Sequence, residues 1–184
     1  MKIKTRDITK IALLVALIAV GAFISIPIGP VPFTLQNFFV FMTGLLLTPF
    51  YAGLTVFIYV LLGLIGIPIF AGFTGGYQSF LKPSFGFLIA FIIGAAFISK
   101  FAHGEKNFGK IMVVLVLAEV IFYAIGLPYM YVILNNVMGT SMDVAKVFSV
   151  GMIPFIIPDM AKAVVAAIIA PRILKALKDW AFKD

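Results

Sequence analysis

Cysteine is absent, histidine occurs once, and Asp and Glu together make up only seven of 184 residues. Without cysteine there is neither a disulfide scaffold nor a thiolate metal site, although the compartment stays open. With His103 as the sole histidine, neither an H-E-x-x-H zinc site nor a Ser-His-Asp triad can be assembled. The run Gly104-Glu105-Lys106-Asn107-Phe108-Gly109-Lys110-Ile111 nearly matches a phosphate-binding loop. Ile111 stands where Mg²⁺ needs Ser or Thr, and no strand precedes it, so the run reads as a basic loop. No nucleophile with an adjacent base is visible, and enzymatic function is not expected. Charge is scarce too, at 11% of residues against 63% hydrophobic. No soluble domain of this length needs such a composition for its core. The sequence predicts an all-α membrane protein, with residues 1–184 forming a single multi-pass domain in the lipid bilayer of the cell membrane.

Six stretches predict transmembrane helices: Ile8 to Ile26, Leu35 to Leu47, Ala52 to Ile67, Ser84 to Phe101, Ile111 to Leu134 and Val147 to Leu174. The second is short for about 30 Å of hydrocarbon. Eleven of the 14 cations fall into three groups: Lys2, Lys4, Arg6 and Lys10; then Lys100, Lys106 and Lys110; then Arg172, Lys175, Lys178 and Lys183. The positive-inside rule places these groups, and both termini, in the cytoplasm, which requires an even number of spans. The net charge of +7 then reads as a basic rim facing anionic lipid, and no nucleic-acid partner is expected. The first span follows basic residues as a signal peptide would, but five more spans follow it and no convincing small-x-small cleavage site flanks it.

Two segments assigned to the outer side, Gly29-Pro30-Val31-Pro32-Phe33-Thr34-Leu35-Gln36 and Gly66 to Pro83, are too apolar and too rich in Gly, Pro and aromatics for solvated loops. Irregular backbone at membrane depth is tolerated only where it is buried in protein or lines a cavity. These segments therefore predict an outward-facing pocket covered by apolar loops.

Asp159 and Lys162 are the only charged residues between Gly151 and Pro171. Two charges at a bilayer centre cost about 5 to 7 kcal/mol on insertion scales. The eight strongly apolar side chains of the run offset about 2.5 to 5 kcal/mol. The segment does not favour lipid on its own, and positions i and i+3 share one helix face, so the pair is expected to look into protein or a wet cavity. Pro158, with Pro154 one turn earlier, predicts that the last helix starts or kinks here, leaving Asp159 near free backbone N–H groups. Glu119, about 14 Å from the inner rim by helical rise, is placed to meet Lys162, about 15 Å from it. Ala12 and Ala16 put two small side chains on one face of the first helix, where another helix can approach closely.

Three ordered motifs carry a family likeness: Gly29 to Gln36, then Gly63-Leu64-Ile65-Gly66-Ile67-Pro68-Ile69-Phe70-Ala71-Gly72, then Ile157-Pro158-Asp159-Met160-Ala161-Lys162. Together they resemble the BioY family, the biotin-specific substrate-binding S components of energy-coupling factor (ECF) transporters, from about Ile8 to Arg172. One departure is Lys82-Pro83-Ser84-Phe85-Gly86-Phe87, where the family usually has a Gly-Pro-Thr-Gly-Gly-Tyr type of sequence. The resemblance implies a six-helix S component that captures biotin from outside. Its expected partners are a transmembrane coupling subunit and two cytoplasmic ATPases, with ATP used by those partners only and no cofactor in this chain. Ala12 and Ala16 match the alanine motif for docking on the coupling subunit.

Biotin offers two ureido N–H donors, one carbonyl acceptor, an apolar sulfur ring and an anionic valerate tail, so a receptor needs a few fixed polar groups within apolar walls. Asp159 is expected to accept from the ureido N–H groups, while Lys162 either donates to the carbonyl or counters the ligand's negative charge. Gln36 and Thr34 are further candidates, with Gln78, Lys82 and Glu119. Phe33, Phe70, Phe73 and Tyr77, with Gly72 beside them, are expected to cover the rings and close the mouth. Two other membrane functions fit the residues: a stand-alone proton-coupled vitamin carrier with Glu119 and Asp159 as relay acids, and an S component for another small vitamin.

Overall fold

The computed structural model describes residues 5–181. Lys2, Lys4 and Lys183 of the predicted basic rim lie outside the described residues, as does the side chain of Lys178. The chain runs through α1 (Thr5–Phe23), β1 (Ser25–Ile26), β2 (Phe33–Thr34), α2 (Gln36–Leu46), α3 (Pro49–Leu64), α4 (Phe85–Ala102), α5 (Phe108–Val132), α6 (Val144–Gly151) and α7 (Ile153–Ala181). The helices follow the uninterrupted apolar runs, and their ends follow the local signals. Asn107 caps α5 by accepting from the Lys110 N–H at 3.0 Å, Asp143 caps α6 through the Lys146 N–H at 2.6 Å, and Pro49 opens α3, where a missing N–H costs nothing.

Among the described residues, three helical stretches are long and apolar enough to cross a membrane: Phe85–Ala102, Phe108–Val137 and Val144–Ala176. The predicted second and third spans appear as helices of 11 and 16 residues. At about 1.5 Å per residue the first of these covers only about half of the hydrocarbon. A turn of π-helix, Ile133–Val137, extends α5 beyond Pro128.

The last predicted span differs most from expectation. It is divided at Met152, between α6 and α7, and not at Pro158. Pro154 occupies the first turn of α7, where proline is tolerated, and Pro158 lies inside the helix. Gly151 ends α6 against Leu127 and Met130 of α5, where a Cβ would lie 2.8 Å from the ends of both side chains. Asp159 is consequently in the second turn of α7, beyond the unpaired N–H groups of its start, and its partners are side chains instead.

α4 lies against α2, α3 and α5, while α2 also meets α1 and α7. Close approach depends on small residues: a Cβ at Gly44 would lie 2.7 Å from the Ile98 side chain, and one at Gly94 would enter the Phe122 ring. The buried hydroxyls of Thr43 and Thr55 are satisfied locally, Thr43 donating to the Phe39 carbonyl at 2.8 Å and Thr55 to the Tyr51 carbonyl at 2.7 Å. Large apolar side chains point outward along the helices, among them Leu13, Phe50, Phe57, Val113 and Ile168, which suits a lipid-facing surface.

At one end of the bundle the chain folds back on itself, as its apolar turn residues predict. β1 and β2 pair antiparallel, with Ser25 opposite Thr34 and Ile26 opposite Phe33, and Gly29 takes the left-handed φ of 66° that turns the chain between them. Residues 65–84 gather at the same end. Tyr59 donates to the Ile69 carbonyl at 2.9 Å, and Phe73 stacks on Phe23 with ring centroids 4.5 Å apart.

Candidate functional site

Beneath those loops, α2, α5 and α7 bring five polar side chains together. Lys162, 8% exposed, donates at 2.8 Å to Asp159 Oδ1, at 2.9 Å to Asn37 Oδ1 and at 2.7 Å to the Thr34 carbonyl. These use all three donors of its ammonium. The face of Phe33 lies over the same nitrogen, 4.4 Å from Nζ to ring centroid, an attractive cation–π geometry. Asp159, 6% exposed, also accepts from Asn37 Nδ2 at 2.8 Å and, through Oδ2, from the Tyr123 hydroxyl at 3.0 Å. Asn37 Nδ2 donates a second time, to Glu119 Oε1 at 3.3 Å. Glu119 and Lys162 therefore share a network, joined through Asn37.

This network forms part of the wall of a cavity of about 240 Å³. The remaining walls are mostly aromatic and aliphatic, including Phe70, Phe85, Leu88, Phe91, Phe122 and Phe155. Gln36 lines the same space and is 4% exposed, yet its Nε2 has no hydrogen-bond partner in the protein. A buried donor without a partner costs about 1–3 kcal/mol, so the cavity holds capacity for a ligand acceptor. Asp159 uses three of its roughly four acceptor sites and can take one further N–H. A few fixed polar groups against apolar walls orient a small, largely apolar molecule that carries both donors and acceptors. Among the described residues, no group of three or more His, Cys, Asp or Glu is placed to hold a metal ion.

The sequence pattern of the BioY family matches residues 1–179. The chain belongs to the BioY family. The biotin transporter BioY of Thermotoga maritima is 44% identical over 170 residues, covering 92% of this chain and 96% of that protein. The probable biotin transporter BioY of Pyrococcus horikoshii is 42% identical over 170 residues, covering 92% and 97%. Among solved structures, the S-component for biotin from an ECF-type ABC transporter superimposes with a TM-score of 0.80, covering 95% of both chains at 28% identity.

In this BioY-family chain, seven of the residues picked from the sequence line the cavity: Thr34, Gln36, Phe70, Lys82, Glu119, Asp159 and Lys162. Phe33 is held on Lys162, and behind it Phe155 stacks with centroids 6.3 Å apart. Four others do not line it. Tyr77 is 81% exposed, Phe73 is turned onto Phe23, Gln78 donates to the Gly75 carbonyl at 2.7 Å, and Gly72 occupies a turn at φ 72°. Gly72 and Phe73 form the exposed tip of the turn closed by the Phe70–Thr74 bridge, whose two ends line the cavity, while Tyr77 and Gln78 lie on the exposed side of the following 3₁₀ turn, Tyr77–Leu81.

Two members of the network, Asn37 and Tyr123, and a third cavity residue, Ser79, were not singled out from the sequence. An uncharged amide or phenol in an apolar run raises no insertion cost comparable with that of Asp or Lys. Asn37 stands directly after the motif that ends at Gln36, and its polarity within the Phe-rich α2 was the available signal. Lys82, in the connection to α4, donates to Thr74 Oγ1 at 2.8 Å, and burial holds its ammonium below the ordinary lysine range.

Proposed function

We propose that this chain is the biotin-binding S component of an ECF-type transporter. The observation that carries the reading is the Asp159–Lys162 pair, bridged by Asn37 and facing a cavity with mostly apolar walls and not a packed helix seam. The names of the relatives and of the superimposed S-component support biotin as the ligand. In this reading Asp159 accepts a ureido N–H, and the partnerless Nε2 of Gln36 donates to a ligand acceptor. Lys162 pairs with Asp159 and orients its carboxylate, while the aromatic walls hold the sulfur ring. The chain crosses the membrane with six helical segments, its termini in the cytoplasm and the loop end outward.

Ala12 and Ala16 are both exposed, on an α1 face that also presents Ile8, Leu13 and Val20. That face docks on a transmembrane coupling subunit whose two ATPases supply the energy. Radiolabelled biotin tests the ligand: the purified protein binds it saturably, and riboflavin and thiamine compete poorly. Equal competition by all three vitamins refutes the specificity. Liposomes holding only this chain test the partnership, since biotin uptake driven by a pH gradient without any ATPase supports the stand-alone carrier instead.

A further inference from the structure

Lys82 and Ser79 form a second polar pole of the cavity, at its loop end. The 3₁₀ turn Tyr77–Leu81 positions them. Lys82 directly follows that turn, its N–H bonded to the Ser79 carbonyl at 3.1 Å, and both side chains line the cavity. Ser79 is 2% exposed and its Oγ has no partner in the protein. Thr74 donates its own hydroxyl proton to the Ala71 carbonyl at 3.0 Å and accepts from Lys82 with a lone pair. That leaves two of the three Lys82 donors uncommitted. Among the described residues the ion pairs are Lys110–Glu105 and Lys162–Asp159, so Lys82 has no acidic partner. Two ammonium donors and one hydroxyl thus face the same space without an anion.

The spacing suits a ligand with two polar ends. The ring pairs Phe91–Phe122 and Phe85–Tyr129 mark two levels of the seam between α4 and α5. Phe122 and Tyr129 are separated by seven residues, about 10 Å of helical rise. Tyr123, the partner of Asp159, adjoins the lower level, and Lys82 precedes Phe85 at the upper one. A fused bicyclic urea with an extended acid side chain spans such a distance. Resting on the biotin reading above, we infer that Lys82 and Ser79 bind the ligand's carboxylate at the loop end of the cavity, with the urea held at Asp159. The site is therefore selective for the free acid over uncharged derivatives of the same bicycle.

Affinities of biotin and of its primary amide for the purified wild-type protein, Lys82→Met and Ser79→Ala test this. Wild type is expected to bind the acid at least about 10-fold more tightly than the amide, as one charge-assisted contact implies. Lys82→Met should remove that preference by weakening the acid alone, and Ser79→Ala should weaken the acid by a few-fold. Retained amide binding shows that the variants are folded. Equal affinity of wild type for acid and amide, or a parallel loss of both in Lys82→Met, overturns the inference while leaving biotin as the ligand. Failure of wild type to bind either compound overturns the biotin reading and this inference with it.

Discussion

At the scale of single residues, Asn37 is the joint of the site. Its amide, on α2, bonds two carboxylates and one ammonium that come from α5 and α7. Replacing it with Leu keeps the volume but leaves Asp159, Glu119 and Lys162 each short of a partner. Such buried losses cost about 1–3 kcal/mol apiece. Asn37→Leu should therefore lower the thermal unfolding midpoint in detergent, and bound biotin should restore little of it. Lys162→Met leaves Asp159 and Glu119 in one buried network without a cation and should cost about 3–5 kcal/mol. The charged members were legible in the sequence because each interrupts an apolar run at an evident energetic cost. Asn37 and Tyr123 were not, because what makes them part of the site is their distance in space from Asp159, which lies 122 and 36 positions away in the chain.

At the scale of elements, helix locations followed from hydrophobic runs, but the break within the last span did not. Pro158, with Pro154 one turn earlier, pointed to that position, whereas the chain turns at Met152, where Gly151 permits contact with α5. A proline in the first turn of a helix and one that kinks it look alike in sequence; packing decides between them. The loop aromatics were misplaced for a related reason. Tyr77 and Phe73 have the composition of a lid, yet Phe73 lies at the tip of the Phe70–Thr74 turn and Tyr77 on the open side of the 3₁₀ turn that follows, both exposed. Helix contacts give two predictions. Gly44→Val forces a methyl against Ile98 and should destabilise the bundle by about 1–3 kcal/mol, read by thermal unfolding. On α1, Ala16→Trp enlarges an exposed position away from the cavity. Biotin affinity should be unchanged, while ATP-driven uptake in vesicles containing the coupling subunit and ATPases is lost.

At the scale of the whole molecule, the distribution of charge follows from the surrounding solvent. Cations collect at the helix ends and in the connection between α4 and α5, while the helix surfaces present Leu, Ile, Val and Phe outward. The buried ionic residues Glu119, Asp159 and Lys162 share one network beside one cavity. A charge kept in such an environment is expensive unless it is paired, and pairing alone does not require an open space beside it. The cavity, with the partnerless amide of Gln36 in its wall, is what distinguishes a receptor from a structural ion pair. The most direct measurement is calorimetric titration of biotin into the purified chain, wild type beside Asp159→Asn. Stoichiometric binding by wild type, weakened at least about 10-fold by the loss of one charged acceptor, is the predicted result. Equal binding by the two proteins would contradict the assignment of this network as the ligand site.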